Sequence, residues 1–461
     1  MKKLKRITAM LMAVTMIASL TACGGKTSTE STGASTGTPS ETTTAADTNT
    51  QSADASEEPI NLRFMWWGGD ERAQATLEVI KKFQEENPNI TIEAESLSSD
   101  GYQEKLTTQL TSGTAADIIQ IDPAWMPGYV KSGGDYFVDY NHYSNIVDLT
   151  TFDADFLKNN GNFDGNQYGL PTGLAGTALI YNTELAKKVG IEFKEDLTWD
   201  DLIEMGKKVQ AYDSNMYLLT VGETLLVKAI LKPYLQQLTG NKFFVDETNE
   251  MGFTQEELTQ ALDYIKALYD NNVIAPISGI ISYGDELQND PKWISGDTYI
   301  GMFCYSSTAK VATAAAPEQS FAASNLPKME NAKDDGFYCN CPQYMAVNNK
   351  SANVEAAMKF LEYFYNNQEA AEILGTVRSI PATSVGQKIC VASGQIEGIT
   401  KETVDIAQQY RGTLDLGLST EEEAITIQKE MADQVAYGVT SPEDAAASSI
   451  ALFQNYLDSK K

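Results

Sequence analysis

Histidine is almost absent from this chain, which has a single one, His142, among 461 residues. Catalysis or metal binding by imidazole needs partner groups, and a lone histidine in the stretch DYNHYSN is more typical of a surface turn. Cysteine is sparse too, and the CNC stretch at 339–341 lacks the CxxC spacing of zinc and thioredoxin-like sites. No metal or cofactor site is therefore predicted. The cysteines beyond residue 23 are expected to be buried free thiols or to include one disulfide: Cys304, Cys339, Cys341 and Cys390.

Basic side chains are scarce relative to acidic ones. The sequence has 34 Lys and Arg against 63 Asp and Glu, which gives a net charge of -29 at pH 7. Such a charge argues against binding of nucleic acid and against electrostatic adsorption to anionic lipid, since both need basic surfaces. It is typical of an exported protein that acidity keeps soluble. The chain also shows no nucleophile elbow, metal motif, phosphate loop or long internal repeat.

The first 22 residues are predicted to be a signal peptide. A basic start, MKKLKR, precedes the apolar run ITAMLMAVTMIASL, which is too short to span a membrane. The run ends in LTAC, and this arrangement resembles the bacterial lipobox, in which the cysteine becomes the lipidated N-terminus. Two or more acyl chains bind a membrane firmly, so diacylated Cys23 is expected to hold the protein on the outer face of the cell membrane.

Residues 23–58 are predicted to be the lipidated cysteine and a disordered tether. The stretch 24–58 contains 16 Ser and Thr and no Val, Ile, Leu, Met or aromatic residue. Such a segment cannot bury enough apolar surface to offset the chain entropy lost on folding.

Apolar patterns of two periods alternate after the tether. Ile60, Leu62, Phe64 and Trp66 recur at every second position, as in a strand, and a helical pattern then runs to Asn87–Pro88. A strand, a helix and a strand are next predicted for ITIEAES, YQEKLTTQLTSG and DIIQID. This order is typical of a parallel sheet with covering helices.

The alternation continues towards the C-terminus. Further strands are predicted for ALIYN, YLLTV, TYIGMF and YMAVNN. Helix starts are marked by two capping boxes, Thr198 with Asp201 and Thr254 with Glu257, and by Ser441 as an N-cap. Two α/β lobes account for roughly 400 ordered residues of this kind.

The turns that follow the predicted strands are rich in aromatic and acidic residues. In open parallel sheets, ligands bind beyond the carboxyl ends of the strands. Sugar rings stack on aromatic planes, and their hydroxyls need paired donors and acceptors, so these turns favour a carbohydrate site. The turns are WWGGDER, SLSSDGY, IDPAW, VGET and CYSS.

Each of these side chains also has a purely structural explanation. In a sheet covered on both faces, Trp66 and Trp67 can both be core residues. Asp100 and Asp122 can cap helices, and Glu223 can be a surface carboxylate at a helix start. The sequence leaves both explanations open.

Several motifs occur in an order that resembles the family 1 extracellular solute-binding proteins, the sugar-capturing subunits of ABC importers. They are the lipobox, the Ser/Thr tether, WWGG with a following Arg, FQEENPNI, DGYQEKLTTQLTSGTAADIIQID, and YGLPTG followed by ALIYN. The resemblance extends over essentially the whole mature chain. Within the family, these motifs are most similar to the branch that binds plant-polysaccharide oligomers, including oligogalacturonides.

The resemblance implies a type II periplasmic-binding-protein-like fold. This fold has two α/β lobes, each a mainly parallel sheet covered by helices, with the ligand cleft between them. Lobe 1 is expected to comprise 59–173 and 348–378, and lobe 2 is expected to comprise 174–347 and 379–461. The expected hinge crossings are Thr172, Gly173, Arg378 and Pro381.

The resemblance also implies which side chains contact the ligand. Arg72 either pairs with a neighbouring acid or acts as a fixed fork for ligand carboxylates, as uronates would provide. Tyr305 stands near a position where relatives usually carry a stacking Trp. The candidate contacts are Trp66, Trp67, Gly68, Asp70, Arg72, Asp100, Tyr102, Asp122, Trp125, Glu223 and Tyr305.

The function implied is that of a monomeric, membrane-anchored solute-binding subunit. It would capture an oligosaccharide without chemical turnover and deliver it to the permease subunits of an ABC transporter. Two alternatives stay open: a surface-anchored glycoside hydrolase, for which two close carboxylates suffice, and a solute-binding protein for a ligand other than sugar.

Overall fold

The computed structural model of the protein describes residues 58–246, 248–284 and 286–461. The predicted signal peptide, Cys23 and almost all of the predicted tether lie outside the described residues. The strands are β1 (Ile60–Trp67), β2 (Ile90–Leu97), β3 (Ile118–Ile121), β4 (Asn162–Phe163), β5 (Asn166–Gln167), β6 (Leu170–Pro171), β7 (Gly173–Asn182), β8 (Tyr217–Thr220), β9 (Phe244–Val245), β10 (Glu250–Met251), β11 (Tyr299–Tyr305), β12 (Phe321–Ser324), β13 (Cys339–Asn340), β14 (Tyr344–Val347) and β15 (Ile380–Pro381).

Helices cover both sheets, and a π-helix, Leu226–Leu231, joins α7 to α8. The α-helices are α1 (Asp70–Glu86), α2 (Tyr102–Ser112), α3 (Met126–Lys131), α4 (Ala154–Asn159), α5 (Thr183–Val189), α6 (Trp199–Tyr212), α7 (Glu223–Leu225), α8 (Lys232–Thr239), α9 (Gln255–Asp270), α10 (Pro291–Ser295), α11 (Ala309–Ala314), α12 (Val354–Asn366), α13 (Gln368–Leu374), α14 (Ser384–Ala392), α15 (Gly398–Ala407), α16 (Glu422–Ala436) and α17 (Pro442–Asp458).

Local sequence signals set several of these boundaries as predicted. Both capping boxes are present, with the hydroxyl of Thr198 accepting from Asp201 N and that of Thr254 accepting from Glu257 N. Ser441 caps α17 in the same way. Each cap satisfies backbone N–H groups that a helix start leaves without a partner.

Two separate sheets with two separate apolar cores form the two lobes. The first sheet has the strand order β2-β1-β3-β14-β6, and the second has the order β12-β7-β11-β8, with β13 and β15 also paired to β7. Strand β7 passes from one core to the other, because Leu174 lies in the first core and Ala178 lies in the second. We call β7, β13 and β15 the crossing strands.

The pairing directions are more mixed than the expected mainly parallel sheets. Strands β1, β2 and β3 are parallel, as predicted, but β14 is antiparallel to β3 and β6. In the second sheet only β11 and β8 pair in parallel, and β7 is antiparallel to β11 and β12. The physical reason is the route of the chain: β7 and β14 enter their sheets from the crossing, where the parallel strands end.

Sheet and core membership differ from the expected lobe boundaries at two places. Tyr344–Val347 pairs within the first sheet, although the return to lobe 1 was expected at residue 348. Ile380, Cys390 and Val404 lie in the first core, although lobe 2 was expected to resume at residue 379.

Candidate functional site

Three aromatic side chains meet at the carboxyl edge of the first sheet. Trp67 ends β1, Tyr102 begins α2, and Trp125 directly precedes α3. Ring centroids lie 4.8 Å apart for Trp67 and Tyr102, and 5.4 Å apart for Trp67 and Trp125. Trp67 and Trp125 are half-buried, whereas Tyr102 is buried behind them. We call Trp67 and Trp125 the aromatic platform, and it presents apolar ring surface beyond the strand ends.

Trp66 is not part of this platform. Its side chain is 0% exposed, and its ring packs 4.8 Å from that of Phe64 inside the first core. Neighbouring residues of a strand point to opposite faces, so the two adjacent tryptophans are divided between core and platform. The expectation that Trp66 contacts the ligand is therefore wrong for this structure.

Buried polar contacts hold the end of β1 in place beneath the platform. The hydroxyl of Tyr102 donates to the carbonyl of Gln120 at 2.8 Å, and Nε2 of Gln120 donates to the carbonyl of Trp67 at 3.0 Å. Oε1 of Gln120 accepts from Arg378, whose Nη2 donates to Thr76 Oγ1 at 2.8 Å. Tyr102, expected to contact the ligand, instead positions the platform from behind.

Two guanidinium groups lie close to this strand end. Arg72 donates through Nη1 to the carbonyl of Trp67 and through Nε to that of Val377, both at 3.2 Å. Burial lowers the pKa of Arg72, and burial together with the charge of Arg72 lowers the pKa of Arg378 to about 9. Neither arginine has an ion pair within the described part of the chain. The first lobe thus offers positive charge next to Trp67.

The predicted acidic contacts occupy different surroundings. Asp122 is half-buried, and its carboxylate accepts from Ala124 N at 2.8 Å. Burial raises the pKa of Asp122, and the charge of Lys228 on the second lobe opposes this rise. Asp70 and Asp100 are exposed at the helix starts beside the platform. Asp122 is therefore close enough to the second lobe for the charge of Lys228 to act on it.

A cavity of about 600 Å³ lies between Trp125 of the platform and the second lobe, and Trp67 is not among its lining residues. Trp125 and Lys131 line it from the first lobe, and Asp246 and the segment 417–422 line it from the second. Asp246 accepts from Leu418 N at 2.9 Å. Burial raises the pKa of Asp246, and the charges of lysines on both lobes only partly oppose this rise. A cavity with walls from both lobes is the cleft that the fold was predicted to contain.

A smaller cavity of about 120 Å³ lies deeper, against the crossing strands. Its lining includes Lys228, Lys232 and Tyr305. Nζ of Lys232 lies 2.8 Å from a carboxylate oxygen of Asp415, and both side chains are buried. Tyr305, a predicted ligand contact, lines this cavity and not the one beside Trp125.

Glu223 lies against a helix of the second lobe. It begins α7 and is close enough to Asp433 of α16 for its charge to act there. Burial and the charge of Glu223 raise the pKa of Asp433 to about 6. The residues that line the two cavities described above do not include Glu223.

The predicted hinge residues meet at the crossing strands. Gly173 of β7 pairs with Pro381 of β15, and Thr172 N donates to Gln343 O at 2.9 Å. A Cβ added at Gly173 would lie 2.5 Å from the carbonyl oxygen of Arg378, which is closer than real Cβ atoms approach. The backbones therefore cross too closely for a side chain. Their role as a hinge stays a prediction.

Several residues of the cleft were not found from the sequence. Lys228 and Lys232 follow the predicted strand tip VGET at helical spacing, and this local signal could have found them. Gln120 sits inside a short apolar strand, where a polar residue is itself a signal. Asp246 and the segment 417–422 are remote in sequence from every predicted tip, and no local signal marks them.

The described residues also show the state of the cysteines and the arrangement of possible metal ligands. No group of three His, Cys, Asp or Glu side chains among them is placed to hold a metal ion. The four described cysteines are free and buried, as one of the two expectations had it. Within the same residues, no helix has both the length and the apolar character needed to cross a membrane.

Two α/β lobes with a cavity between them, lined by Trp125, are the architecture expected of a solute-binding protein. The family model for bacterial extracellular solute-binding proteins matches residues 68–371. The chain belongs to this family, which confirms the resemblance found in the sequence.

The alignment of this chain with its curated relatives covers about half of the length of each relative. The lactose-binding protein of Rhizobium radiobacter is 24% identical over 209 residues, or 44% of this chain and 47% of that protein. The arabinooligosaccharide-binding protein of Halalkalibacterium halodurans is 25% identical over 201 residues, or 42% of each. The chain thus spans about half the length of the curated relatives it matches.

Solved structures match over most of the chain. A periplasmic oligogalacturonide-binding protein from Yersinia enterocolitica has a TM-score of 0.74 at 22% identity, covering 86% of this chain and 100% of that chain. A designed cysteine esterase has a TM-score of 0.78 at 22% identity, covering 88% and 100%. At such identities the likeness shows the fold alone, and it confirms the predicted two-lobed α/β class.

Proposed function

We propose that this protein is the solute-binding subunit of an ABC importer and that its ligand is an oligosaccharide. The aromatic platform carries this proposal. Trp67 and Trp125 are both half-buried with ring centroids 5.4 Å apart, and Trp125 lines a cavity with walls from both lobes. Paired rings of this kind suit the C–H faces of sugars, and Asp122 and Arg72 are placed nearby as partners for hydroxyl or carboxylate oxygens.

The working cycle follows from the two lobes. The lobes close on the sugar by rotation at Thr172, Gly173, Arg378 and Pro381, and the closed monomer docks on the permease subunits in the membrane. The names of the curated relatives support a carbohydrate ligand, since two of them are binding proteins for lactose and for arabinooligosaccharides. The protein binds without turnover.

We further propose that diacylated Cys23 anchors the protein to the outer face of the cell membrane. Residues 24–58 then form a tether between the lipid and the two lobes. Cys23→Ser should move the protein from the membrane fraction to the soluble fraction. Unchanged membrane retention of the variant would show that another part of the chain anchors it.

The sugar proposal is tested by ligand-dependent melting of the purified protein. The probes are arabino-, malto- and cello-oligosaccharides, oligogalacturonides, a dipeptide mixture and sulfate. At least one oligosaccharide should raise the melting temperature, with a shift that follows mass action in its concentration.

Two results would overturn the proposal. A rise in melting temperature with the peptides or with sulfate, and with none of the sugars, would show that the protein binds a solute other than sugar. Release of shorter sugars at catalytic rates, measured by chromatography of the same mixtures, would identify a glycoside hydrolase. Trp67→Ala and Trp125→Ala should remove the sugar shift, and Tyr212→Ala, a half-exposed aromatic on α6, is the matched control.

A further inference from the structure

A third cavity lies on the other side of the crossing strands. It measures about 350 Å³, within the range of small-molecule sites. Cys339 lines it, whereas the next residue, Asn340, lines the cavity that contains Lys228 and Tyr305. Since neighbouring strand residues point to opposite sides, the two cavities lie on opposite faces of β13, and Tyr338 lines both of them. We call the cavity at Cys339 the rear cavity.

The walls of the rear cavity come from different lobes. One wall is formed by Phe152, Asp153 and Phe156, and Phe152 packs 5.4 Å from Tyr365 of the first core. The segment 408–414 forms the other wall. Hydrogen bonds from Gly412 N to Phe337 O and from Arg411 N to Asp335 attach that segment to the second lobe.

The chemistry of the two walls is complementary to one kind of molecule. Asp153 stands on one wall and Arg411 on the other, and the charges of both reach Cys339 on the floor between them. Both side chains are exposed and neither has an ion pair among the described residues, although Asp153 accepts from Phe156 N and Arg411 donates to the carbonyl of Tyr410. Phe152, Phe156 and Leu414 supply apolar surface between the charges.

We propose that the rear cavity is a binding site for a small zwitterion with an apolar body, of which an amino acid with an apolar side chain is the simplest form. The ammonium group faces Asp153, the carboxylate faces Arg411, and the side chain packs between Phe156 and Leu414. Each charge of such a ligand meets an opposite charge at the cavity wall. The site is independent of the sugar cleft.

The test uses isothermal titration of the purified protein with three compounds of similar shape. L-Phenylalanine carries both charges, hydrocinnamate lacks the ammonium group, and phenethylamine lacks the carboxylate. L-Phenylalanine should bind at least about tenfold more tightly than either analogue, because a lost charged hydrogen bond weakens binding by about this factor or more. Hydrogen exchange should slow in residues 150–156 and 408–414 when it is bound.

Two variants assign the charges within the rear cavity. Arg411→Gln should weaken the binding of L-phenylalanine about tenfold and leave the binding of phenethylamine unchanged. Asp153→Asn should weaken the binding of L-phenylalanine about tenfold and leave the binding of hydrocinnamate unchanged. Asparagine retains the N-cap that Asp153 provides for α4. Arg63→Gln, which removes an arginine paired with Glu95 on the first sheet, is the matched control.

The outcomes decide the proposal. Equal binding of hydrocinnamate and L-phenylalanine, unchanged binding by both variants, or protection from exchange away from the two walls would overturn it. An absence of binding by all three compounds at millimolar concentration would overturn it as well.

Discussion

Replacing the two adjacent tryptophans separately distinguishes the core from the platform. Trp66 is fully buried against Phe64. A Trp side chain buries up to about 250 Å², which at about 25 cal/mol per Å² corresponds to about 6 kcal/mol, and Trp→Ala changes in cores cost about 3–5 kcal/mol. We therefore expect Trp66→Ala to lower the free energy of unfolding by about 3–5 kcal/mol.

The expected change in melting temperature is modest because the chain is long. An unfolding entropy of about 2.1 cal/mol/K per residue over the roughly 400 described residues converts 3–5 kcal/mol to about 4–6 °C. Trp66→Ala should melt lower by this amount and bind sugar normally once folded. Trp67→Ala removes only a half-buried ring, so its apo melting should fall by no more than about 2 °C.

Binding should show the opposite order. Truncation of a central aromatic in a binding site costs about 2 kcal/mol or more, which is about thirtyfold in affinity. Trp67→Ala and Trp125→Ala should each lower the affinity for the best-binding sugar of the panel by this factor, as measured by calorimetric titration. A Trp67→Ala protein that melts about 5 °C lower and binds sugar with unchanged affinity would refute the assignment of the platform.

Three further predictions concern residues around the cleft and the crossing. The pKa of Asp433 is raised from 3.8 to about 6 in the folded state. Its protonated carboxyl therefore contributes its full stability below about pH 4, and this contribution is lost as the pH rises through about 6. Asp433→Asn should therefore raise the free energy of unfolding by about 1 kcal/mol at about pH 8, after allowance for solvent screening, and give no gain at about pH 4, as urea denaturation would show. Gln120→Met leaves Nη1 of Arg378 without its acceptor and should lower stability by about 2–3 kcal/mol in the same assay; an unchanged midpoint would contradict the network beneath the platform. Gly173→Ala should cost about 1–3 kcal/mol in thermal melting, whereas Gly279→Ala, with open space at its Cβ, should cost less; equal effects would contradict the close crossing.

The local elements of the fold were predictable from short stretches of sequence. The alternating run that begins at Ile60 forms β1, and the capping boxes at Thr198 and Thr254 start helices where expected. These signals act within a few residues, because side-chain periodicity and N-cap hydrogen bonds depend on near neighbours alone. The order of the elements was then enough to predict two α/β lobes, and the resemblance of several motifs to a known family indicated the family.

Contacts between remote segments decided the rest. Alternation placed Trp66 and Trp67 on opposite faces, but both faces of the sheet are covered, and only the packing shows that Trp67 extends beyond the cover. Tyr102 also follows a strand tip, yet its hydroxyl is held by the carbonyl of Gln120 and its ring lies behind Trp125.

The sequence by itself therefore determined the class of fold and, through its motifs, the family. The tertiary structure alone decided the antiparallel strands that return from the crossing, the contact of Glu223 with α16, and the part of Asp246 and segment 417–422 in the cleft. The physical reason is that burial and charge at a given side chain depend on which distant segments pack against it. No short-range pattern encodes that choice of partner.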